Sequence, residues 1–323
     1  MMIPNSKPYT TQDEIDATIA VLKRGDIAIG PEIEQFAKLI ADFIGKKYGI
    51  AVTNGTAAIH MALMALEIST GDEVILPASV CPGVMHAIEY TGATPVLCDI
   101  NASDLNLNYN DALRVISKNT KAIILPHLFG IPSNLNEFQT LNIPLIEDCA
   151  QSLGSAFNGH KLGSFGVLST FSFYATKMCT SIDGGMILTD SKELAQRMKD
   201  LRYYGGKKEY KLRYNYKLQN VNAAIGIAQL KNIDNFIQER RQQFKNIFDV
   251  FKNRSGIEVL GQNIFQEGFV PYKALINFKS DEVKELFLNT CSENFINASK
   301  AIFVDLEMFR NNTSTTKFPN LKY

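Results

Sequence analysis

The chain has 323 residues, with 33 Lys+Arg against 33 Asp+Glu, so its formal net charge is zero. That balance excludes a generic nucleic-acid binder, which needs a basic excess to displace counterions from a phosphate backbone. With 46% apolar and 20% charged residues the composition is that of a folded globular protein, long enough for one large domain or a large and a small one.

The five cysteines, Cys81, Cys98, Cys149, Cys179 and Cys291, are odd in number and show neither CxxC nor Cys/His spacing. Free thiols in a reducing compartment are therefore expected, and no metal site. No stretch approaches the ~18 apolar residues needed to cross a bilayer, and the N-terminus MMIPNSKPYTTQDE is polar and acidic, so a cytoplasmic protein without a membrane partner is expected.

From about residue 48 an alternation begins: YGIAVT, the small-residue helical run TAAIHMALMALE, EVILP, a helix near 82–91, then TPVLCDI. It continues with a helix near 109–117, KAIILPHLFG, PLIEDCA, STFSFY and GGMILTD. Short apolar runs alternating with helical segments read as βαβ units, hence an α/β fold with a mainly parallel sheet covered on both faces. The last two strands leave no room for a crossover helix and are expected to pair antiparallel. Past residue 190 the pattern turns helical, and NAAIGIAQLKNIDNFIQERRQQFKNIFDVFKN reads as one long amphipathic helix. A smaller α/β segment follows, with FVPYKALINF as a strand and SDEVKELFLNTC as a Ser-capped helix. We place the division at residue 240: a large domain 1–240 with an N-terminal arm 1–25, and a small C-terminal domain 241–323.

In parallel sheets ligands sit where strands end, so the chemistry is sought there. No Walker A loop, GxGxxG, HExxH or GxSxG is present. Asn54-Gly55-Thr56-Ala57 lies where the first strand yields to a helix, and free N–H groups at a helix N-terminus hold phosphate, although the same turn also serves as an ordinary N-cap. Glu147-Asp148 ends an otherwise apolar strand; a carboxylate there suits a protonated ring nitrogen, and equally a cap or an ion pair. Lys177 follows STFSFY and precedes the tight Asp183-Gly184-Gly185 turn, a place for amine chemistry, whereas a lone loop lysine is ordinarily a solvated charge. His127 faces either a ligand or the backbone, and His60 reads as packing or capping.

Taken in order, TNGTAAIHMALMAL, GDEVILP, GATPVLCDI, IEDCAQSLGS, FSFYATK, DGGMILTD and YNYKLQNVNAAIGIAQL resemble the DegT/DnrJ/EryC1/StrS family of pyridoxal-phosphate-dependent nucleotide-sugar aminotransferases, over residues 2 to about 235. The resemblance implies the fold type I architecture and pyridoxal 5′-phosphate as cofactor. Lys177 would bond to the cofactor and then shuttle a proton, Asp148 would pair with the ring nitrogen, and Gln151 with the ring hydroxyl. Gly55, Thr56 and Ser172 would bind the phosphate. Asn215 would reach the phosphate of a neighbouring subunit, so a homodimer with shared active sites is implied. The function implied is transfer of an amino group from L-glutamate to a keto group of a nucleotide-linked deoxysugar, for a surface polysaccharide or O-antigen. The alternatives are a sugar dehydratase of the same fold, whose known branch carries His in place of this lysine, or a non-catalytic homologue.

Several positions depart from the family pattern. Cys81 stands where many relatives stack an aromatic ring, which would weaken stacking by about 1 kcal/mol. Arg213 and Lys217 replace a glycine and an arginine around Asn215, and Val167 replaces an aspartate. The chain stops three residues after Phe318-Pro319-Asn320, where relatives continue, so the small domain is expected to be incomplete.

Overall fold

The computed structural model describes residues 3–4, 6–261, 268–298 and 318, so of the Phe318-Pro319-Asn320 segment only Phe318 lies within the described residues. The chain opens with helix α1 (Gln12–Arg24), started by a reciprocal cap in which Glu14 accepts from the Thr11 N–H and hydroxyl at 2.6 and 2.7 Å. Helix α2 (Pro31–Ile44) begins at a proline, whose missing N–H costs nothing in a first turn.

The alternation read from residue 48 then unfolds as β1 (Tyr48–Val52), α3 (Gly55–Ala65), β2 (Glu73–Pro77), α4 (Pro82–Glu89), β3 (Thr94–Cys98), α5 (Tyr109–Val115), β4 (Thr120–Pro126), the short α6 (Leu135–Phe138) and β5 (Leu145–Asp148). A small hairpin, β6 (Ala156–Phe157) and β7 (His160–Lys161), precedes β8 (Leu168–Ser172) and β9 (Gly185–Thr189). Seven of these strands form one sheet in the order β1-β9-β8-β5-β4-β2-β3. All neighbouring pairs are parallel except those of β9, which runs antiparallel to both β1 and β8 as the missing crossover requires. Six strands therefore end at one edge, at Val52, Pro77, Cys98, Pro126, Asp148 and Ser172, and β9 starts there at Gly185.

Strands buried on both faces need two apolar layers. One layer joins α3, α4 and the following α7 (Lys192–Leu201) to the sheet around Ile50, Leu63, Leu76 and Ile187; the other packs α2 against Ile75, Ile123, Phe171 and Leu188. Helix α3 is buried nearly all round, which is why its sequence is small and apolar rather than amphipathic.

The single long helix expected after residue 220 is instead two, α8 (Asn220–Lys231) and α9 (Ile233–Phe251), divided at Asn232 with φ −101° and ψ 7°. Asparagine competes with the backbone for hydrogen bonds and is a poor helix interior. The two halves also have different partners: α8 packs on α1 and α2, α9 on β10 (Ile257–Val259). Strand β10 pairs antiparallel with β11 (Ile276–Phe278), followed by α10 (Asp281–Glu293), whose N-cap is Ser280 as expected. A separate small core of Ile131, Phe244, Val259, Leu260 and Phe269 joins this part to the loop after β4. Helix α9 runs through residue 240 without a break.

Two glycines set how closely the ligand edge packs. A Cβ on Gly185 would lie 2.2 Å from the Asn54 carbonyl oxygen, and one on Gly55 would lie 3.0 Å from the Ser172 Cβ. Backbone cannot yield as a side chain can, so Gly185→Ala is expected to destabilise the protein by about 1–3 kcal/mol by pushing α3 away from β9. A change in the urea midpoint corresponding to less than a few tenths of a kcal/mol would refute this close approach.

Candidate active site

At the strand ends a cavity of about 550 Å³ opens. Seven of the eight residues singled out above line it: Gly55, Thr56, Cys81, Asp148, Gln151, Ser172 and Lys177. Asn215, the eighth, is not among the lining residues; its side chain instead accepts from Lys217 Nζ at 2.9 Å. The five cysteines are free thiols, with Cys81 exposed at the start of α4.

One end of the cavity is built by α3. The Asn54 side chain accepts from the Ala57 N–H at 2.8 Å, which fixes the first turn and leaves the earlier N–H groups facing the cavity beside Ser172. The N-cap reading of this turn is observed, and it is compatible with the anion reading.

The acidic pair at the end of β5 divides. Glu147 is fully buried and accepts from the N–H groups of Gly163, Phe165 and Gly166 at 2.7, 2.8 and 2.6 Å, and from His127 Nε2 at 3.0 Å. Burial opposes its charge, but His127 and these backbone donors hold its carboxyl below the usual carboxylate range. His127 Nδ1 accepts from the Ser133 N–H at 3.1 Å, so its proton sits on Nε2 and both nitrogens are engaged. His127 is thus bonded into the framework through both nitrogens and at the same time lines the cavity.

Asp148 faces the cavity with one backbone donor, the Ala150 N–H at 3.0 Å. Burial pushes its carboxyl above the ordinary range, an effect that this N–H and the Lys177 ammonium oppose without cancelling. It is a carboxylate arranged to gain from a cationic partner. Gln151 uses its oxygen to accept from the Phe129 N–H at 2.9 Å, which leaves its NH₂ to donate.

His127, Glu147 and Cys149 offer ligand atoms within 4.8 Å of one another, a spacing that suits a metal. Their donors are already used by the bonds above, and burial raises the Cys149 thiol well above its ordinary value, so it offers no thiolate.

Further residues line the site that were not singled out as site residues from the sequence. Tyr272, far along the chain, lies with its phenol oxygen 3.1 Å from Thr176 Oγ1 and its ring centroid 5.0 Å from Lys177 Nζ. It is anchored by its own N–H to the Phe129 carbonyl at 2.8 Å, and its carbonyl accepts from Arg240. Asp183, Tyr90, Tyr174 and Tyr216 also line the cavity. His60 is buried, its Nδ1 is 3.1 Å from the Tyr216 phenol oxygen, and burial lowers its pKa to about 4. Arg213 Nε donates to Asp200 at 3.1 Å.

A mainly parallel seven-stranded sheet covered by helices, with an amine, a buried carboxylate and a helix N-terminus converging at the strand ends, is the fold type I architecture expected from the sequence. The DegT/DnrJ/EryC1/StrS aminotransferase family matches residues 8–321, and the chain belongs to that family. It is 38% identical to the GDP-perosamine synthase of Escherichia coli O157:H7 over 232 residues, 69% of this chain and 63% of that one. It is also 38% identical to the GDP-perosamine synthase of Vibrio cholerae over 221 residues, 66% of this chain and 60% of that one. The chain thus spans less than two thirds of the length of these curated relatives. Among solved structures, a candidate sugar aminotransferase, Spr1654 from Streptococcus pneumoniae in its PLP form, superimposes with TM-score 0.89 at 25% identity, covering 99% of this chain and 90% of that one. The aminotransferase from Psychrobacter cryohalolentis superimposes with TM-score 0.79 at 27% identity, covering 87% and 78%. No helix among the described residues is long and apolar enough to cross a membrane.

Replacing Glu147 leaves several buried N–H groups short of an acceptor. Glu147→Gln is expected to cost about 3 kcal/mol or more. Because the folded-state carboxyl lies below its unfolded value of about 4.3, its contribution is complete above that pH and fades as pH falls through the folded value. Urea unfolding at pH 7 and at progressively lower pH checks both points; a variant within about 1 kcal/mol of wild type at pH 7 would contradict the assignment.

Proposed function

We propose that this chain is a pyridoxal-phosphate-dependent aminotransferase that moves an amino group from L-glutamate to a keto group of a nucleotide-linked deoxysugar, for a surface polysaccharide or O-antigen. The observation that carries this reading is the convergence of Lys177, Asp148 and the α3 N-terminus on one cavity. The residues fit the cofactor group by group. Asp148, buried with a single backbone donor, suits the cationic ring nitrogen; the Gln151 NH₂ suits the ring hydroxyl; Gly55, Thr56 and Ser172 suit the phosphate. Cys81 lines the cavity where it can pack against the ring. The GDP-perosamine synthases support a nucleotide-linked amino sugar as product.

When bound, the cofactor supplies the electron sink that lets a bond to the amino-bearing carbon break. The protein supplies the rest. Asp148 holds the ring cation and so keeps the sink effective. Lys177 Nζ removes the proton from the α-carbon of the amino donor and returns one to the sugar carbon that gains nitrogen. Tyr272 keeps that amine in place through its ring and through Thr176. A lysine at this position favours transamination over dehydration.

Homodimerisation with a shared site is part of the proposal. Tyr214 and Tyr216 stack on each other, 5.0 Å apart and 8° from parallel, while the alternate residues Asn215 and Lys217 bond to each other. In an extended segment alternate side chains leave opposite faces, so Asn215 lies on the face opposite Tyr216, where a second copy can meet it. We further propose residues 1–240 as the cofactor-binding unit and 241–323 as the small unit.

Folded protein mixed with pyridoxal phosphate is expected to show a visible absorption band that shifts with L-glutamate, and Lys177→Ala is expected to abolish it; no band in folded wild type would sink the proposal. Tyr272→Leu should weaken cofactor attachment by about tenfold and Tyr272→Phe by much less, read by titrating the same band. For the shared site, mixing inactive Lys177→Ala and Asn215→Ala subunits should restore turnover, because one site of each mixed dimer regains both residues. Mixed dimers without activity would contradict sharing.

A further inference from the structure

The cavity extends beyond its lysine and carboxylate to an aromatic corner where Tyr216 and Tyr90 line the wall. Behind them lies His60, edge-on to Tyr90, Tyr214 and Tyr216 at centroid distances of 5.7, 5.0 and 5.8 Å. The rings come from three places in the chain: α3, the residue after α4, and the extended segment 214–217 that bridges to the end of β1. That segment is held by its backbone, through Thr53 N–H to the Tyr216 carbonyl at 2.9 Å and Tyr216 N–H to the Arg202 carbonyl at 2.9 Å. The His60 contact is therefore not needed to place the tyrosine backbone.

What the contact decides is where the phenol proton points. His60 Nδ1 lies 3.1 Å from the Tyr216 oxygen, and Nε2 is buried with no partner among the described residues. If Nε2 carried the proton, a buried donor would be left unpaired and the phenol would spend its proton on Nδ1. If Nδ1 carries it, only a lone pair is left unpaired, which folded proteins tolerate more often than an orphaned N–H. The second arrangement also frees the Tyr216 proton for a ligand. Burial keeps the imidazole neutral through the physiological range, so it holds one role there.

We infer that His60 is a positioning residue: it donates Nδ1–H to the Tyr216 oxygen, turns the phenol proton into the cavity, and with Tyr90 makes this corner the subsite for the sugar of the nucleotide-linked substrate. The chemistry suits a sugar, whose ring presents apolar C–H faces to an aromatic wall and oxygens to a phenol donor. The inference rests on the proposed function for the identity of the ligand, and on this chain's geometry for the His60 device.

Two measurements test it separately. Long-range proton–nitrogen spectra of protein labelled with ¹⁵N-histidine, with His60 assigned through His60→Asn, are expected to show a neutral imidazole protonated on Nδ1 in the cofactor-free chain. An Nε2–H imidazole overturns the device whatever the enzyme does. In the half-reaction with a nucleotide keto-sugar, Tyr216→Phe is expected to raise KM for the sugar about tenfold with kcat, the L-glutamate half-reaction and the affinity for pyridoxal phosphate unchanged. His60→Leu should reproduce that change, and His60→Asn, whose amide can still donate, should rescue most of it. An unchanged sugar KM in Tyr216→Phe, or a loss confined to cofactor affinity, overturns the subsite. If wild type turns over no nucleotide keto-sugar, the proposed function falls and the sugar assignment with it, while the imidazole spectrum still decides the His60 device.

Discussion

Side chains alternate between the faces of a strand, so Glu147 and Asp148 at the end of β5 leave the sheet in opposite directions. Both are buried carboxylates, and burial alone penalises both. What separates them is the count of donors. Glu147 collects three backbone N–H groups and His127, so its charge is stabilised and the turn at 163–166 and the loop after β4 are tied to the sheet. Asp148 has one backbone N–H and the nearby Lys177, and its carboxyl stays raised. Neighbouring acids pushed apart by environment are a general way of assigning one to structure and one to chemistry.

The other parts of the site depend on that frame being rigid. Asp148 is aimed by β5, Lys177 follows β8, and the α3 N-terminus follows β1; β5 pairs directly with β8, and β9 joins β8 to β1, its Gly185 letting the Asn54 carbonyl approach. Groups carried on strand ends in this way are placed more firmly than groups on free loops. The C-terminal part adds Tyr272, so a segment that contributes nothing to the large sheet still places its ring 5.0 Å from the Lys177 amine.

The α/β alternation, the antiparallel turn-back of β8 and β9, and the strand-end residues were legible in the sequence because apolar periodicity and order along the chain are local signals. Three features were not. The break at Asn232 reflects separate packing partners for α8 and α9, which an amphipathic pattern does not reveal. The division of labour between Glu147 and Asp148 depends on N–H groups from residues 163–166, brought in only by folding. Tyr272 reaches Lys177 across nearly a hundred residues, and no spacing rule connects them. For Tyr216 a signal existed: tyrosines at 214 and 216 in an extended segment share a face, opposite Asn215.

The proposed function requires Asp148, a buried carboxylate, to hold a ring cation. The direct measurement is the ¹⁵N chemical shift of the ring nitrogen of labelled pyridoxal phosphate bound to the protein at mildly alkaline pH. A protonated nitrogen is expected in wild type and an unprotonated one in Asp148→Asn. An unprotonated ring in wild type, or the same protonated signal in both proteins, would contradict that role of Asp148.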